Sequence, residues 1–204
     1  MSIELTQAVQ VALRLLEDEG LDKLTVRRLA TELGVKAPAL YWHFSGKRAL
    51  LDHMTDVMVR PVVAALPSAD RPWLSWLEES GTALHSVLLS HRDGARVALG
   101  ADLLIARSLG DFAERTVDVL HRAGFSLADA TRGAGVLVHF VLGRAVEDQT
   151  RLGPADEAAL IASETFPFPL MARGLQDRAG ATVADDFRYA LGIMLAGLSA
   201  VRPG

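Results

Sequence analysis

Two apolar stripes of helical period, close together and each closed by a glycine, constrain this chain more than any other feature of its sequence. Ala8, Val11, Ala12 and Leu15 fall at i, i+3, i+4 and i+7, and Gly20 then stops that helix as a C-terminal glycine does. Thr25 stands where an N-cap belongs, and Val26, Leu29, Ala30 and Leu33 repeat the stripe as far as Gly34. Pro38, tolerated in the first turn of a helix, opens a third segment that closes near Ser45. Ser45 is in turn placed to cap a fourth helix, Lys47 to Val63. The second helix, a three-residue turn beginning at Gly34 and the third helix make a helix-turn-helix.

The third segment lies in "KAPALYWHFSGKRALL", residues 36 to 51, where Tyr41, Trp42, His43 and Phe44 set four rings in a row. Successive helical residues are about 100° apart, so consecutive rings sweep round the cylinder and cannot all be buried. Leu40 and Phe44 share a face that can pack on Leu29 and Leu33, which leaves Tyr41, Trp42 and His43 fanned outward as a contact surface. Arg27, Arg28, Lys36, Lys47 and Arg48 surround them against the single acid Glu32, a local phosphate-seeking patch in a chain whose formal net charge is −4. A helix N-terminus at Ser45 and Gly46 adds free N–H groups suited to phosphate. The competing reading is a two-helix packing unit with a solvated charged rim and its aromatics in a second core.

Half of the 204 residues are apolar, enough for a sizeable core. Without cysteine the chain has no disulfide framework and no thiolate metal site, and a reducing compartment fits. Its first twenty residues alternate acids with an amphipathic stripe, unlike a signal peptide, and the expected location is cytoplasmic. The most apolar stretch, Tyr189 to Val201, is shorter than the roughly 20 residues of a bilayer crossing and reads as a buried helix.

Residues 64–204 read as further helices joined by short breaks, so the fold class is all-α. Trp73, Trp76 and Leu77 sit on one helix, "SHRDG" marks a turn, and "AGFSLADA" ends one helix and caps the next with Ser126. From Leu127 to Val146 apolar residues recur at helical spacing, and "YALGIMLAGLSAV" is apolar nearly all round. A two-fold dimer through a four-helix bundle of these two helices from each subunit would cover both, and would match palindromic half-sites. Burial within one subunit is the alternative. The organisation expected is a helix-turn-helix head over 1–46, a connecting helix over 47–63 and a ligand-binding and dimerisation domain over 64–204. No Gly-rich phosphate loop, nucleophile motif or clustered metal-ligand spacing is present, and His53, His85, His91 and His121 lie scattered, so an enzyme is not expected.

"LTVRRLATELGVKAPALYWHFSGKRALLD" resembles the DNA-binding head of the TetR family of bacterial repressors, in its tetracycline-repressor branch. "LLSHRDGARVALG", "GFSLADA" and "VHFVLGRAVEDQ" resemble segments of that branch's ligand-binding and dimerisation domain, so the resemblance covers nearly the whole chain. It places operator contacts on Val26, Arg27, Ala37, Pro38, Ala39, Tyr41, Trp42, His43 and Lys47. Arg27 suits a guanine edge, Pro38 and the alanine methyls suit thymine methyls, and Tyr41, Trp42, His43 and Lys47 suit sugar and phosphate. Ala37 and Ala39 replace the branch's polar residues beside the proline, so no amide reads an adenine there and the operator should differ.

The branch holds its drug as a magnesium chelate through two histidines and an asparagine. The matching positions here are Ala98, Val63 and Ser80, so no metal and no cofactor is expected. The resemblance also places His139 and Glu147 beside the ligand. They are eight residues apart on one helix, about 12 Å along its axis, so they cannot share an ion within one subunit and suit polar roles in the core or dimer interface. The pocket implied is lined by Val63, Ser80, Leu84, Ala98 and Ala134, with Leu170 and Leu175, and suits an apolar or aromatic small molecule. Trp73 and Trp76 stack on it or fill the core, and the segment 152–168 gates it. The function implied is a ligand-responsive repressor that binds a palindromic operator as a homodimer. The alternatives are an activator, or a ligand-binding module whose head grips a protein partner.

Overall fold

The computed structural model describes residues 4–163 and 165–202. Ten α-helices run through them: α1 Leu5–Glu19, α2 Val26–Glu32, α3 Lys47–Ala64, α4 Trp73–Leu89, α5 Gly94–Ala98, α6 Arg107–Arg122, α7 Leu127–Thr150, α8 Pro154–Ala162, α9 Pro169–Asp177 and α10 Val183–Ala200. No strand occurs among the described residues. The residue-164 position inside the expected gate lies outside them.

The apolar residues sort into two cores. Both stripes of the N-terminal sequence face the first core: Ala8, Val11, Ala12 and Leu15 of α1 meet Leu29 and Ala30 of α2, with Leu33 packed at the edge. Leu40, Phe44, Leu50, Met54 and Met58 complete this head core. The second core, in the body, takes Val59 and Val62 of α3 with residues of α4, α6, α7 and α10. Thus α3 passes from one core to the other between Met58 and Val59.

The third segment of the head is not an α-helix but a 3-10 turn, Ala37–Ala39, followed by further turns. Its bonds are short-range: Ala39 N–H donates to the Lys36 carbonyl at 2.9 Å and Leu40 N–H to the Ala37 carbonyl at 3.0 Å. Pro38 supplies no N–H, and the full burial of Leu40 and Phe44 holds the segment where an α-helical ladder would otherwise do so. Ser45 does not cap α3; Gly46 occupies the N-cap with no side-chain bond.

The last helix divides its apolar surface between two faces. Thr182 and Asp185 form a capping box at its start, and only Phe187, Leu191 and Leu195 are buried. Tyr189, Ile193 and Val201 are exposed, so α10 buries one face and presents the other. α7 does the same, with Ala134, Leu137, Val141 and Ala145 inside and Val136 and Leu127 outside. Gly133 lets α7 approach α6 closely, since a Cβ there would lie 2.9 Å from Leu120 Cδ1. α8 and α9 bury no residue at all.

Candidate nucleic-acid interface and effector region

The head orients its rings as the stripe argument expects. Leu40 and Phe44 are sealed inside, whereas Tyr41 is 54% and Trp42 89% exposed, with His43 half-buried beside Phe44. Pro38 and Ala39 are exposed and Ala37 is half-buried. Val26 is buried in the head core, which takes its side chain out of any contact surface; Thr25 beside it caps α2 by accepting the Arg28 N–H at 3.0 Å.

The five cations of this segment are not equivalent. Arg28 is clamped by Glu19 at 2.7 Å and Glu32 at 2.9 Å, and these bonds hold its guanidinium above the ordinary arginine range and Glu19 below the ordinary carboxylate range. Arg48 turns inward, donating to Asp52 at 2.8 Å and to the Val97 and Leu99 carbonyls at 2.8 and 3.0 Å. Lys47 donates one proton to the Leu21 carbonyl at 2.9 Å, leaving two of its three donors free. Arg27 and Lys36 have no side-chain partner among the described residues. The free positive charge is therefore narrower than the sequence count suggests: Arg27, Lys36 and part of Lys47, beside the exposed rings and the uncapped N–H groups of α3.

The residues expected to line a pocket are dispersed. Ser80, Leu84, Ala98 and Ala134 are buried in the body, and the Ser80 hydroxyl donates to the Trp76 carbonyl. None of the four lines any of three hollows found among the described residues. Val63 lines one of about 240 Å³ with Leu66, Ala69, Trp76 and Arg115. Leu175 lines another of about 630 Å³ between α8, α9 and the start of α10. Leu170 is 80% exposed on α9, and His139 and Glu147 are exposed on α7, so within one chain these three face away from the core. Trp76 is core, its Nε1–H donating to the Pro67 carbonyl at 3.0 Å, and Trp73 stands edge-on to Phe125 with ring centroids 5.6 Å apart.

Sequence reasoning missed how the body holds the head. It read "SHRDG" only as a turn. In the structure this corner between α4 and α5 grips the end of α1: His91 Nδ1 meets Glu17 Oε1 at 2.9 Å, Arg92 Nη1 donates to the Asp18 carbonyl at 3.0 Å, and Leu21 N–H donates to Asp93 Oδ2 at 2.9 Å. Burial would raise the Asp93 carboxyl, but the bonds from Leu21 and Arg96 outweigh it and hold it below its ordinary range. α5 also straddles the cores, with Ala95 and Ala98 in that of the body and Val97 in that of the head. Deeper in the body, His85 stacks on Phe187 with centroids 3.8 Å apart and donates to Asp148 at 2.8 Å, which also takes two bonds from Arg144. Burial pushes the His85 pKa down despite Asp148, so the ring is neutral at pH 7. No spacing rule pairs residues 63 positions apart.

Comparisons with known proteins agree with this architecture. Residues 8–54 match the family described as "Bacterial regulatory proteins, tetR family", and residues 66–202 match "Tetracyclin repressor-like, C-terminal domain". The tetracycline repressor protein class D of Escherichia coli is 35% identical over 169 residues, 82% of this chain and 76% of that protein. A solved structure of a possible TetR family transcriptional regulator from Streptomyces coelicolor A3(2) is 37% identical, covering 98% of this chain and 100% of its own, with a TM-score of 0.85. The TetR family protein ActR from Streptomyces coelicolor, solved in complex with (S)-DNPA, is 29% identical over 98% of both chains, with a TM-score of 0.82.

Proposed function

The chain belongs to the TetR family of transcriptional repressors with a ligand-binding domain, and from that premise we propose that it binds a palindromic operator as a homodimer and releases it when a small apolar or aromatic effector enters the body. The observation that carries this reading is the head: exposed Tyr41 and Trp42 beside the free cations Arg27 and Lys36 and an uncapped helix N-terminus. Arg27, Pro38 and Ala39 read base edges, and Tyr41, Trp42, His43 and Lys47 hold sugar and phosphate. Ala37 stays close to the groove as part of the turn.

The dimer forms through the outward faces of α7 and α10, where Val136, Tyr189 and Ile193 are exposed in one chain. His139 and Glu147, exposed on α7, then join that interface. Tetracycline with magnesium is not the effector proposed. Val63 and Ala98 offer no lone pair, and the Ser80 hydroxyl is already donated to the Trp76 carbonyl. An effector that opens the packed region of Ser80, Leu84, Ala98 and Ala134 moves α3, which starts at Lys47 under the operator face and reaches Val63 in the body. By linkage, effector binding weakens operator affinity by the same coupling energy.

Selection of bound duplexes from a random pool tests the proposal. A palindrome should emerge, with affinity falling steeply as salt rises because phosphate contacts release counterions. Weak, sequence-blind binding with a shallow salt slope would assign Tyr41 and Trp42 to a protein partner instead.

A further inference from the structure

We propose that Gln149, near the end of α7, is the positioning residue that couples the body to the orientation of the head. This rests on the effector-responsive reading above, and names the side chain through which a shift of α7 reaches α1.

Three observations converge on it. The first is the corner itself. Between α4 and α5 the chain reverses through Asp93, whose φ of 54° lies in the left-handed region, and Gly94, where a Cβ would strike the Leu88 carbonyl oxygen. So tight a corner moves as a unit. Its outer side holds the end of α1 and the loop after it through Glu17, Asp18, Leu21 and, by way of Arg96, Asp22.

The second is the inner side of the same corner. The Gln149 amide nitrogen donates to the Leu88 carbonyl at 3.1 Å and the His91 carbonyl at 2.7 Å, while its oxygen accepts the Ala95 N–H at 3.1 Å. One side chain thus bonds the end of α4, the turn and the start of α5. The amide cannot be flipped, since reversal would set its oxygen against two carbonyls and its nitrogen against an N–H.

The third is what surrounds the tie. A hollow of about 640 Å³ is lined by the α1–α2 loop, the corner, the end of α7 and Val183 at the start of α10, and Gln149 lies in its wall. The preceding residue, Asp148, is fixed in the body by His85 and Arg144. Gln149 therefore follows an anchored residue and, at the wall of the hollow, bonds directly to the element that grips the head.

Hydrogen exchange on the full ligand-free chain tests this, comparing Gln149→Met, which keeps the length and loses every bond, with Gln149→Glu. In Gln149→Met the Leu21 amide, bonded to Asp93, should lose about tenfold in protection while core amides of α4 and α7 keep theirs. In Gln149→Glu protection should be low at about pH 7 and recover toward about pH 5, because a protonated carboxyl again donates to the His91 carbonyl. His91, Arg92, Asp93, Arg96, Glu17, Glu19, Asp22, Arg144 and Asp148 also face this junction, and Gln149→Met carries all of them through the same pH range as the control. Unchanged Leu21 protection in both variants would overturn the proposal, as would parallel loss across α7. Neither readout involves DNA or effector, so failure here is distinct from failure of duplex selection.

Discussion

In the head, every long apolar side chain of the turn segment that points inward is sealed: Leu40 and Phe44 are fully buried with Leu29, Leu50 and Met54. In the arm formed by α8 and α9, Leu160, Phe168, Leu170 and Met171 stay exposed and neither helix buries a residue. A ring of ion pairs holds the arm instead. Arg151 meets Asp186 at 2.8 Å and Glu157 at 3.2 Å, and Arg178 meets the same two acids. Burial would raise the Asp186 carboxyl, but bonds from Arg178 and Arg151 hold it below its ordinary range. The head has a core of its own, whereas the arm carries apolar surface with nothing from its own chain to cover it.

The contrast can be broken most severely from the head side. Phe44→Ala should cost about 3–5 kcal/mol, read as a lowered denaturant midpoint, because a fully buried ring leaves a cavity. Leu170→Asp should leave that midpoint in place, since the side chain is 80% exposed. A lowered midpoint in that variant would mean that the arm is packed against a covering surface after all.

Smaller effects sharpen the comparison. Arg178→Ala should cost about 0–1 kcal/mol in low salt and less in high salt, because its ring is solvent-accessible. Acid should loosen the same ring: the lowered Asp186 pKa contributes stability above the unfolded value and loses it as pH falls through the folded one. His85 works in the opposite protonation sense but the same direction. Its folded pKa is lowered, so the unfolded chain binds the proton first and stability falls as pH drops below about 6.5. His85→Gln should flatten that part of the melting-temperature profile. Trp42→Ala should change stability by less than about 0.5 kcal/mol while weakening the selected duplex, because its ring touches little of the fold.

The partition of rings was legible from spacing alone: Leu40 and Phe44 inward, Tyr41 and Trp42 outward. So was the cap at Thr25. The electrostatics of the same face were not. Arg28 and Arg48 counted as phosphate-seeking cations until Glu19, Asp52 and the Val97 carbonyl were seen to engage them, and Glu19 and Val97 lie outside the local window. Val26 fitted a stripe and an operator position at once, and burial decided for the stripe. The pocket residues scatter in the single chain. Their positions were carried from proteins that chelate a drug; here Val63 and Leu175 line separate hollows, while Ser80, Leu84, Ala98 and Ala134 are packed in the body.

The sequence by itself determined the helices, the N-terminal core and the exposed rings, because periodicity, caps and glycine stops act over a few residues. Only the tertiary structure decided which cations are free, that the corner at Asp93 grips α1, that Gln149 ties the corner to α7 and that the arm stays uncovered. Each of these depends on atoms brought together from distant parts of the chain. Leu21 and Asp93 are 72 positions apart, and no local signal in the sequence foretells the 2.9 Å bond that joins them.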